Sequence, residues 1–193
     1  ALTNDEKLAE RIRLMSLHGL SRDAWGRFKT GGSWDYKIIA PGYKYNLTDI
    51  AAAIGIHQAA RAESMRQVRE HVAKRYLDEL AVCEAFELPA DSPNHLHSWH
   101  LFPIRLGLDK LRIDRNQMIV ELNQKGIGTS VHWRPLHLHP YYQDVIGWRS
   151  EDCPAASKMW ERLISLPIFA SMTDEETSYV VETVCELMLK YAK

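Results

Sequence analysis

The sequence predicts a long helix joined to a small α+β domain, and three observations lead to this prediction. A helical stretch begins near Thr48, which can cap the first turn, while Asp49 places a favourable negative charge there. From about residue 81 the predicted elements follow the order strand, helix, strand, helix, helix. This order suits two or three antiparallel strands that are backed by helices.

The N-terminal part is predicted to contain one helix and one long loop. Residues 4–17 have a helical apolar stripe, a cap at Asn4 or Asp5, and Gly19 as a stop signal. Residues 19–46 have no clear period and alternate glycines with aromatic residues. Loops of this length are uncommon in compact domains unless they serve a function. We expect the aromatic side chains to pack either within the chain or on a partner.

The long helix changes character along its length. Its first part, residues 51–60, is rich in alanine, and small residues allow another helix to approach closely. We therefore expect this part to be buried. From Arg61 to Leu80 the pattern is amphipathic, with a single apolar face. That face consists of Met65, Val68, Val72, Tyr76 and Leu80.

The C-terminal elements are predicted from apolar periodicity and from cap residues. Asp114 caps one helix and Gly126 stops it, while Thr173 and Glu176 have the spacing of a capping box. Pro103 indicates that its strand is an edge strand or contains a bulge. The predicted elements are strand 99–106, helix 114–125, strand 127–133, helix 154–164 and helix 173–191.

Composition excludes several classes of protein. The net charge of −1 gives no broad attraction to nucleic acid or to a membrane surface. No apolar run approaches the roughly 20 residues of a membrane span, and the first residues do not resemble a signal peptide. Cys83, Cys153 and Cys185 are far apart in sequence and odd in number, so we expect buried thiols rather than disulfides. A reducing cytoplasm is the simplest location.

The histidines leave three interpretations open. Six of the nine lie in two clusters, and imidazole is a common metal ligand, yet no acidic residue or cysteine completes a metal motif beside them. They could hold a structural metal, act as hydrogen-bonded histidines at strand ends and loops, or line a polar pocket for phosphate or sugar hydroxyls. The first interpretation is the least favoured, and we predict no metal. The clustered residues are His95, His97, His100, His132, His137 and His139.

Residues 41–50 are the most informative for chemistry. Pro41 and Gly42 break the chain, aromatic and polar residues then alternate, and a capped helix begins at Thr48. Helix N-termini with lysine and amide side chains nearby are natural anion sites. The residues alone leave two interpretations, which are a phosphate site and a packed loop that leads into a helix. No Walker sequence, Gly-x-Gly-x-x-Gly or Gly-x-Ser-x-Gly motif occurs.

Residues 41–55 closely resemble the Gly-Tyr-x-Tyr-x-(Leu/Met)-(Thr/Ser)-(Asp/Glu)-(Ile/Leu)-x-Ala-Ala motif of the DegT/StrS family of sugar aminotransferases. The resemblance covers essentially the whole chain. Residues 126–142 are similar to the family's signature after its C-terminal strand, and residues 166–173 to its Leu-Pro-(Leu/Ile)-(Phe/His)-x-x-(Met/Leu)-(Thr/Ser) exit. Several motifs, among them 17–21 and 99–102, most resemble the branch that forms UDP-4-amino-4-deoxy-L-arabinose for lipid A modification.

The resemblance implies an α/β fold of the aspartate-aminotransferase type, which is PLP fold type I. Residues 1–80 then correspond to the end of the large PLP-binding domain plus a linking helix, and residues 81–193 to the small α+β C-terminal domain. The family's catalytic lysine lies in a Ser-x-x-x-x-Lys stretch, which does not occur in these 193 residues. We therefore expect a C-terminal part that is inactive alone and that works in a homodimer or with a companion N-terminal half.

The resemblance also implies roles for single residues. The complete enzyme would use pyridoxal 5′-phosphate (PLP) to move an amino group from glutamate to a nucleotide-linked keto sugar. An inactive binding module of the same fold and an unrelated metal-binding domain are the alternatives. The implied cofactor-binding residues are Lys44, Tyr45 and Asn46. The implied substrate-binding residues are Arg27, Tyr43, His132 and His137.

Overall fold

The structure is a computed structural model that describes residues 1–20, 37–91 and 94–193. Its contacts divide the chain into two compact units, residues 1–60 and residues 61–193. Within the described ranges, no helix combines the length and the apolar character that a membrane crossing requires.

Two helices in the first half of the chain begin where the cap residues predict. Helix α1 (Glu6–Ser16) is capped by Asp5, whose carboxylate accepts a main-chain N–H at 3.1 Å. Helix α2 (Asp49–Glu79) follows Thr48, whose hydroxyl accepts a main-chain N–H at 3.3 Å. Both caps satisfy N–H groups that have no partner within the helix.

The apolar residues at the start of α2 are exposed, so the prediction that this part is buried was wrong for this chain. Ile50 is 78% exposed, Ile54 60% and Ile56 69%. Small neighbouring residues permit a close approach by another surface, but they do not supply that surface. The first turns of α2 therefore present apolar area to solvent.

The second half of α2 packs in the core of the C-terminal unit. Val72, Tyr76 and Leu80, three members of the predicted apolar face, are each at most 1% exposed. The two units meet inside α2, at residues 60 and 61. The amphipathic half of the helix belongs to the C-terminal unit because it buries its apolar face among those elements. The division into domains after residue 80 stays a prediction about the complete protein.

The C-terminal unit is built on a three-stranded antiparallel sheet in the order β1-β2-β3. The strands are β1 (Phe86–Glu87), β2 (Phe102–Leu106) and β3 (Leu163–Leu166). Along β2 the residues Phe102, Ile104 and Leu106 are fully buried and alternate with partly exposed ones, as a half-buried strand requires.

Pro103 lies in the central strand, at a position where its missing backbone N–H costs no hydrogen bond between strands. It stands opposite Ser165, whose own N–H and C=O bond to Ser130. On the other side β1 pairs only with Arg105 and Leu106 and does not reach Pro103. The local environment is thus that of an edge, which is where proline is tolerated in a sheet.

Three helices complete the unit. Capping boxes at Asp114 with Gln117 and at Thr173 with Glu176 start two of them, and Gly126 follows the first with a φ of +78°. The helices are α3 (Arg115–Gln124), α4 (Pro154–Arg162) and α5 (Asp174–Tyr191). Between α3 and α4 lie a 3₁₀ turn (Leu136–Leu138), a π-helical turn (Tyr142–Ile146) and a second 3₁₀ turn (Ser150–Asp152).

Two predicted elements need correction. Residues 127–133 do not form a strand, because Ser130 alone makes a single bridge, with Ser165. Residues 163–166, which were predicted in part as the end of a helix, form β3 instead. A short apolar run does not distinguish a helix end from a buried strand, and here the pairing with β2 decides.

An arginine ties α4 to the sheet. Arg162 donates to the carbonyl of Leu106 and to the carboxylate of Glu87, each at 2.6 Å. The hydrogen bond from Arg162, together with Arg105 nearby, lowers the pKa of Glu87. The short strand β1 is therefore held at both its main chain and its Glu87 side chain.

The cysteines are free thiols, as the sequence predicts, but none of them is fully buried. The Sγ atoms of Cys83 and Cys185 lie 2.9 Å apart, and both side chains are only half-buried. Cys153 is exposed. Tertiary packing brings together two residues that are 102 positions apart, which their spacing did not indicate.

We predict that Leu122→Ala lowers the free energy of unfolding of the C-terminal unit by about 2–5 kcal/mol, because its fully buried side chain would leave a cavity. Val120→Ala is the matched control in the same helix, since Val120 is 53% exposed, and it should change stability by roughly 0.5 kcal/mol or less. Urea denaturation measures both, and equal losses would contradict the core assignment.

Candidate functional site

The loop that carries Lys44 is fixed by main-chain hydrogen bonds on both sides of that residue. The N–H of Tyr43 donates to the carbonyl of Met15 at 2.7 Å, and the N–H of Tyr45 donates to the carbonyl of Ser16 at 2.8 Å. The end of α1 therefore supplies the acceptors, and the backbone around Lys44 has a defined position within the N-terminal unit.

Two glycines allow this loop to pass close to the segment after α1. Gly19 has a φ of +69°, and a Cβ there would overlap the carbonyl group of Ala40. A Cβ at Gly42 would overlap the backbone nitrogen of Gly19 and the carbonyl carbon of His18. Only glycine fits such a backbone-to-backbone approach, which explains why these two positions lack side chains.

The side chains of the loop face solvent. The rings of Tyr43 and Tyr45 stack with centroids 5.0 Å apart and are 55% and 74% exposed. Lys44 is exposed, and its ammonium makes no hydrogen bond or ion pair within the described part of the chain. Asn46 is half-buried, and its amide donates a long hydrogen bond of 3.5 Å to the carbonyl of Leu47. Lys44 can therefore receive an anion without first breaking an ion pair to any of the described residues.

His132 is positioned by the sheet of the C-terminal unit. Its Nδ1 lies 2.9 Å from the hydroxyl of Ser165, which is only 4% exposed on β3. The imidazole contacts the ring of Trp133, with centroids 4.5 Å apart, and Trp133 is 75% exposed. The Nε2 atom has no hydrogen-bond partner among the described residues, so it can serve a ligand.

His137 is buried, unlike His132. It is 3% exposed, and its Nε2 lies 2.7 Å from the hydroxyl of Ser157. That hydroxyl donates its only proton to the carbonyl of Ser150 at 2.9 Å, so the imidazole Nε2–H must donate to the Ser157 oxygen. The contact anchors the first 3₁₀ turn to α4.

Arg134 also shapes the loop that follows His132. Its guanidinium donates two hydrogen bonds, at 3.1 and 2.8 Å, to the carbonyl of Leu138. Together with the buried His137, these bonds fix the turn Leu136–Leu138 next to His132.

The sequence missed the two serines that hold these histidines. Ser165 and Ser157 are distant in sequence from their partners, by 33 and 20 positions. The only local signal was a serine inside the apolar run 163–166, where a buried hydroxyl needs a partner. Arg27, a predicted substrate residue, lies outside the described residues.

The structure shows which groups three of the clustered histidines contact. The N–H of Trp99 donates to Nδ1 of His97 at 2.9 Å, and His132 and His137 each bond a serine hydroxyl. Within the described ranges, no group of three histidine, cysteine or acidic residues is arranged to hold a metal ion. These three histidines therefore have protein partners in the loops and at strand ends.

The sequence model of the DegT/DnrJ/EryC1/StrS aminotransferase family matches residues 1–185. The chain belongs to this family. It is 47% identical over 186 residues to the uncharacterized protein MJ1066 of Methanocaldococcus jannaschii, covering 96% of this chain and 48% of that protein. It is 40% identical over 187 residues to the spore coat polysaccharide biosynthesis protein SpsC of Bacillus subtilis, with the same two shares covered.

A solved structure titled putative sugar aminotransferase has the same fold. The Spr1654 protein of Streptococcus pneumoniae in its PMP form superposes with a TM-score of 0.83 at 33% identity, covering 97% of this chain and 46% of that one. Its PLP form gives 0.82 at 32% identity, covering 97% and 45%. The chain thus has the fold of PLP-dependent sugar aminotransferases of the aspartate-aminotransferase type, and it spans about half the length of the relatives it matches.

Aminotransferases of the DegT/DnrJ/EryC1/StrS family are PLP-dependent, and the residues of this chain fit one part of that cofactor. The phosphate of PLP is an anion, and Lys44 offers an exposed ammonium that has no partner in the part of the chain that the structure describes, on a loop of fixed backbone. Tyr43 and Tyr45 add exposed hydroxyl groups on either side. The loop is therefore suited to the phosphate end of the cofactor.

We predict that Gly42→Ala disrupts the loop, because the new Cβ would overlap the backbone of His18 and Gly19. Gly55→Ala is the control, since a Cβ there has no atom within 4 Å and alanine favours the helix by about 1 kcal/mol. Limited proteolysis should cleave residues 37–48 faster in Gly42→Ala only. Equal protection of both variants would contradict the close approach.

Proposed function

We propose that this chain is the C-terminal part of a PLP-dependent aminotransferase that transfers an amino group from glutamate to a nucleotide-linked keto sugar. Residues 1–80 would be the end of the large domain and the linking helix, and residues 81–193 would form the small domain. The catalytic lysine would come from the N-terminal half of the complete protein. Because glutamate and nucleotide sugars are cytoplasmic metabolites, we propose that the complete protein is cytoplasmic.

The observation that carries this proposal is the fixed loop around Lys44. Its backbone is held at Tyr43 and Tyr45 by the end of α1, while the ammonium remains exposed and unpaired among the described residues. A surface lysine without a ligand would not require a backbone that is fixed on both sides of it. We assign Lys44 to the cofactor phosphate, with Tyr45 and Asn46 as flanking contacts.

The chain's own residues would bind and orient, while the cofactor supplies the electron sink for amino-group transfer when it is bound. Lys44 would hold the phosphate by a charge-assisted contact. His132, held by Ser165 through Nδ1, would offer Nε2 to a hydroxyl of the sugar. Arg27 and Tyr43 remain proposed substrate contacts, and buried His137 would act by fixing the turn beside His132.

Relatives and motifs support a finer proposal for the sugar. SpsC carries the name of a spore coat polysaccharide biosynthesis protein, which supports a role in making cell-surface polysaccharide. The motifs at 17–21 and 99–102 support the alternative destination, a UDP-linked 4-keto sugar for lipid A modification. In either case the substrate would be a keto sugar linked to a nucleotide.

A homodimer, or a companion N-terminal half, forms part of the proposal. Exposed apolar side chains on the first turns of α2 support it, because Ile50, Ile54 and Ile56 are each at least 60% exposed. Large exposed apolar patches commonly mark an interface, and several exposed isoleucines in one short stretch favour such a patch. The competing function is an inactive binding module with the same fold, which would bind partners but transfer no amino group.

We predict that Lys44→Ala, in the complete protein, weakens cofactor affinity about ten- to a hundredfold. A charge-assisted contact with a phosphate is worth about 1.5–3 kcal/mol, and about 1.4 kcal/mol corresponds to tenfold. Activity should fall at limiting PLP and recover in excess PLP, as followed by cofactor titration. Lys158→Ala, at an exposed lysine of α4, should leave the titration unchanged.

Two results would count against the phosphate assignment. The first is a Lys44→Ala protein with unchanged cofactor affinity, and the second is one whose only defect is a lower Tm. A complete protein that binds PLP but transfers no amino group from glutamate to any nucleotide-linked keto sugar would favour the inactive module.

We predict that His132→Ala spares cofactor binding and slows the half-reaction with the keto sugar by about two- to tenfold. One neutral hydrogen bond contributes about 0.5–1.5 kcal/mol, which gives this range. Ser165→Ala should cause a smaller loss, since it only frees the imidazole to rotate. Single-turnover measurements of each half-reaction test this, and equal slowing of the glutamate half-reaction would contradict a role at the sugar end.

A further inference from the structure

Cys83 and Cys185 form a thiol pair that the proposed transamination does not use. Their Sγ atoms are 2.9 Å apart, within hydrogen-bond distance for sulfur, and either thiol can be the donor. Since an S–S bond is about 2.05 Å long, the two atoms would need to approach by only about 0.9 Å to bond. Both residues belong to the C-terminal unit.

The pair lies where two separate elements meet the core. Cys83 follows the end of α2, and its N–H donates to the carbonyl of Leu80 at 3.0 Å. Cys185 lies in α5, next to the fully buried Val184. Both cysteines pack against the hydrophobic core but are themselves only half-buried, so small reagents can reach them.

We propose that Cys83 and Cys185 are a site of reversible oxidation, at which a peroxide converts the two thiols into an intrachain disulfide. This disulfide ties the end of α2 to α5 and closes a loop that spans 102 positions. Long closed loops restrict the unfolded chain strongly, so the covalent tie stabilises the C-terminal unit. Cys153 is exposed and has no such partner near it among the described residues.

The chemistry balances with hydrogen peroxide as the oxidant. One sulfur attacks the peroxide, the O–O bond breaks, and a sulfenic acid and one water form. The second sulfur then attacks the sulfenic sulfur, the S–S bond forms as the S–O bond breaks, and the oxygen leaves as a second water. The two sulfurs lose two electrons, the peroxide gains them, and both thiol protons end in water.

The surroundings lower the reactivity of the Cys83 thiol. Burial, together with the hydrogen bond to Cys185, raises the pKa of the Cys83 thiol to about 12. Cys83 is therefore a neutral thiol at pH 7, and the thiolate is the reactive form. We therefore expect oxidation that begins at Cys83 to be faster at alkaline pH.

The test uses the 193-residue chain with Cys153→Ser, which removes the exposed thiol and keeps the pair. The protein is treated with hydrogen peroxide at pH 8, unfolded, blocked with N-ethylmaleimide and digested without reduction. The expected product is the Cys83 peptide joined to the Cys185 peptide, two hydrogens lighter than their sum. The Tm should rise by about 5–15 °C and return after dithiothreitol.

The double variant Cys153→Ser/Cys185→Ser is the control and should show no joined peptide and no oxidant-dependent rise in Tm. If that variant does not fold, Cys153→Ser/Cys185→Ala replaces it, and peptide mapping of Cys153→Ser decides by itself. Recovery of Cys83 and Cys185 only as maleimide adducts or as sulfinic acids would overturn the proposal. So would links that form only between two chains.

Discussion

The C-terminal unit depends on the burial of one face of α2 beneath the sheet. Tyr76 shows this most directly, because its ring meets Phe102 of β2 edge-on at 4.9 Å while its hydroxyl donates to the carbonyl of Pro167 at 2.9 Å. The side chain is fully buried, and burial raises the pKa of its phenol well above the usual value. A single residue thus joins the helix, the central strand and the segment that follows β3.

The same core determines the position of His132, the proposed sugar contact. The pairing of β3 with β2 buries Ile164 and Leu166, and it leaves Ser165 between them to bond Ser130 by its main chain and His132 by its hydroxyl. A half-exposed imidazole is therefore held by a group that the hydrophobic core has already fixed. Binding a ligand there requires little further ordering of the protein, which is the physical advantage of a site supported by a strand.

The proposed phosphate contact has a different support. Helix α1, which supplies the acceptors for the loop around Lys44, has no buried residue among those that the structure describes. Main-chain hydrogen bonds and the close passage of Gly19 and Gly42 hold the loop instead. Such an arrangement fixes the backbone but leaves the side chains open, as an anion-binding loop requires. It also explains why apolar residues of this region remain exposed within this chain.

Local residue patterns were enough to predict where four helices begin and to which family the chain belongs. Caps at Asp5, Thr48, Asp114 and Thr173 are local signals that depend on a few neighbouring residues, and each lies where it was predicted. The motifs at 41–55, 126–142 and 166–173 were together sufficient to predict the aminotransferase family, because their combined residue types and spacing are specific. Tertiary structure alone decided that 163–166 is a strand, that Ser165 holds His132, that His137 is buried and that Cys83 meets Cys185. These features depend on which distant segments pack together, and the residues next to each position carry no information about that.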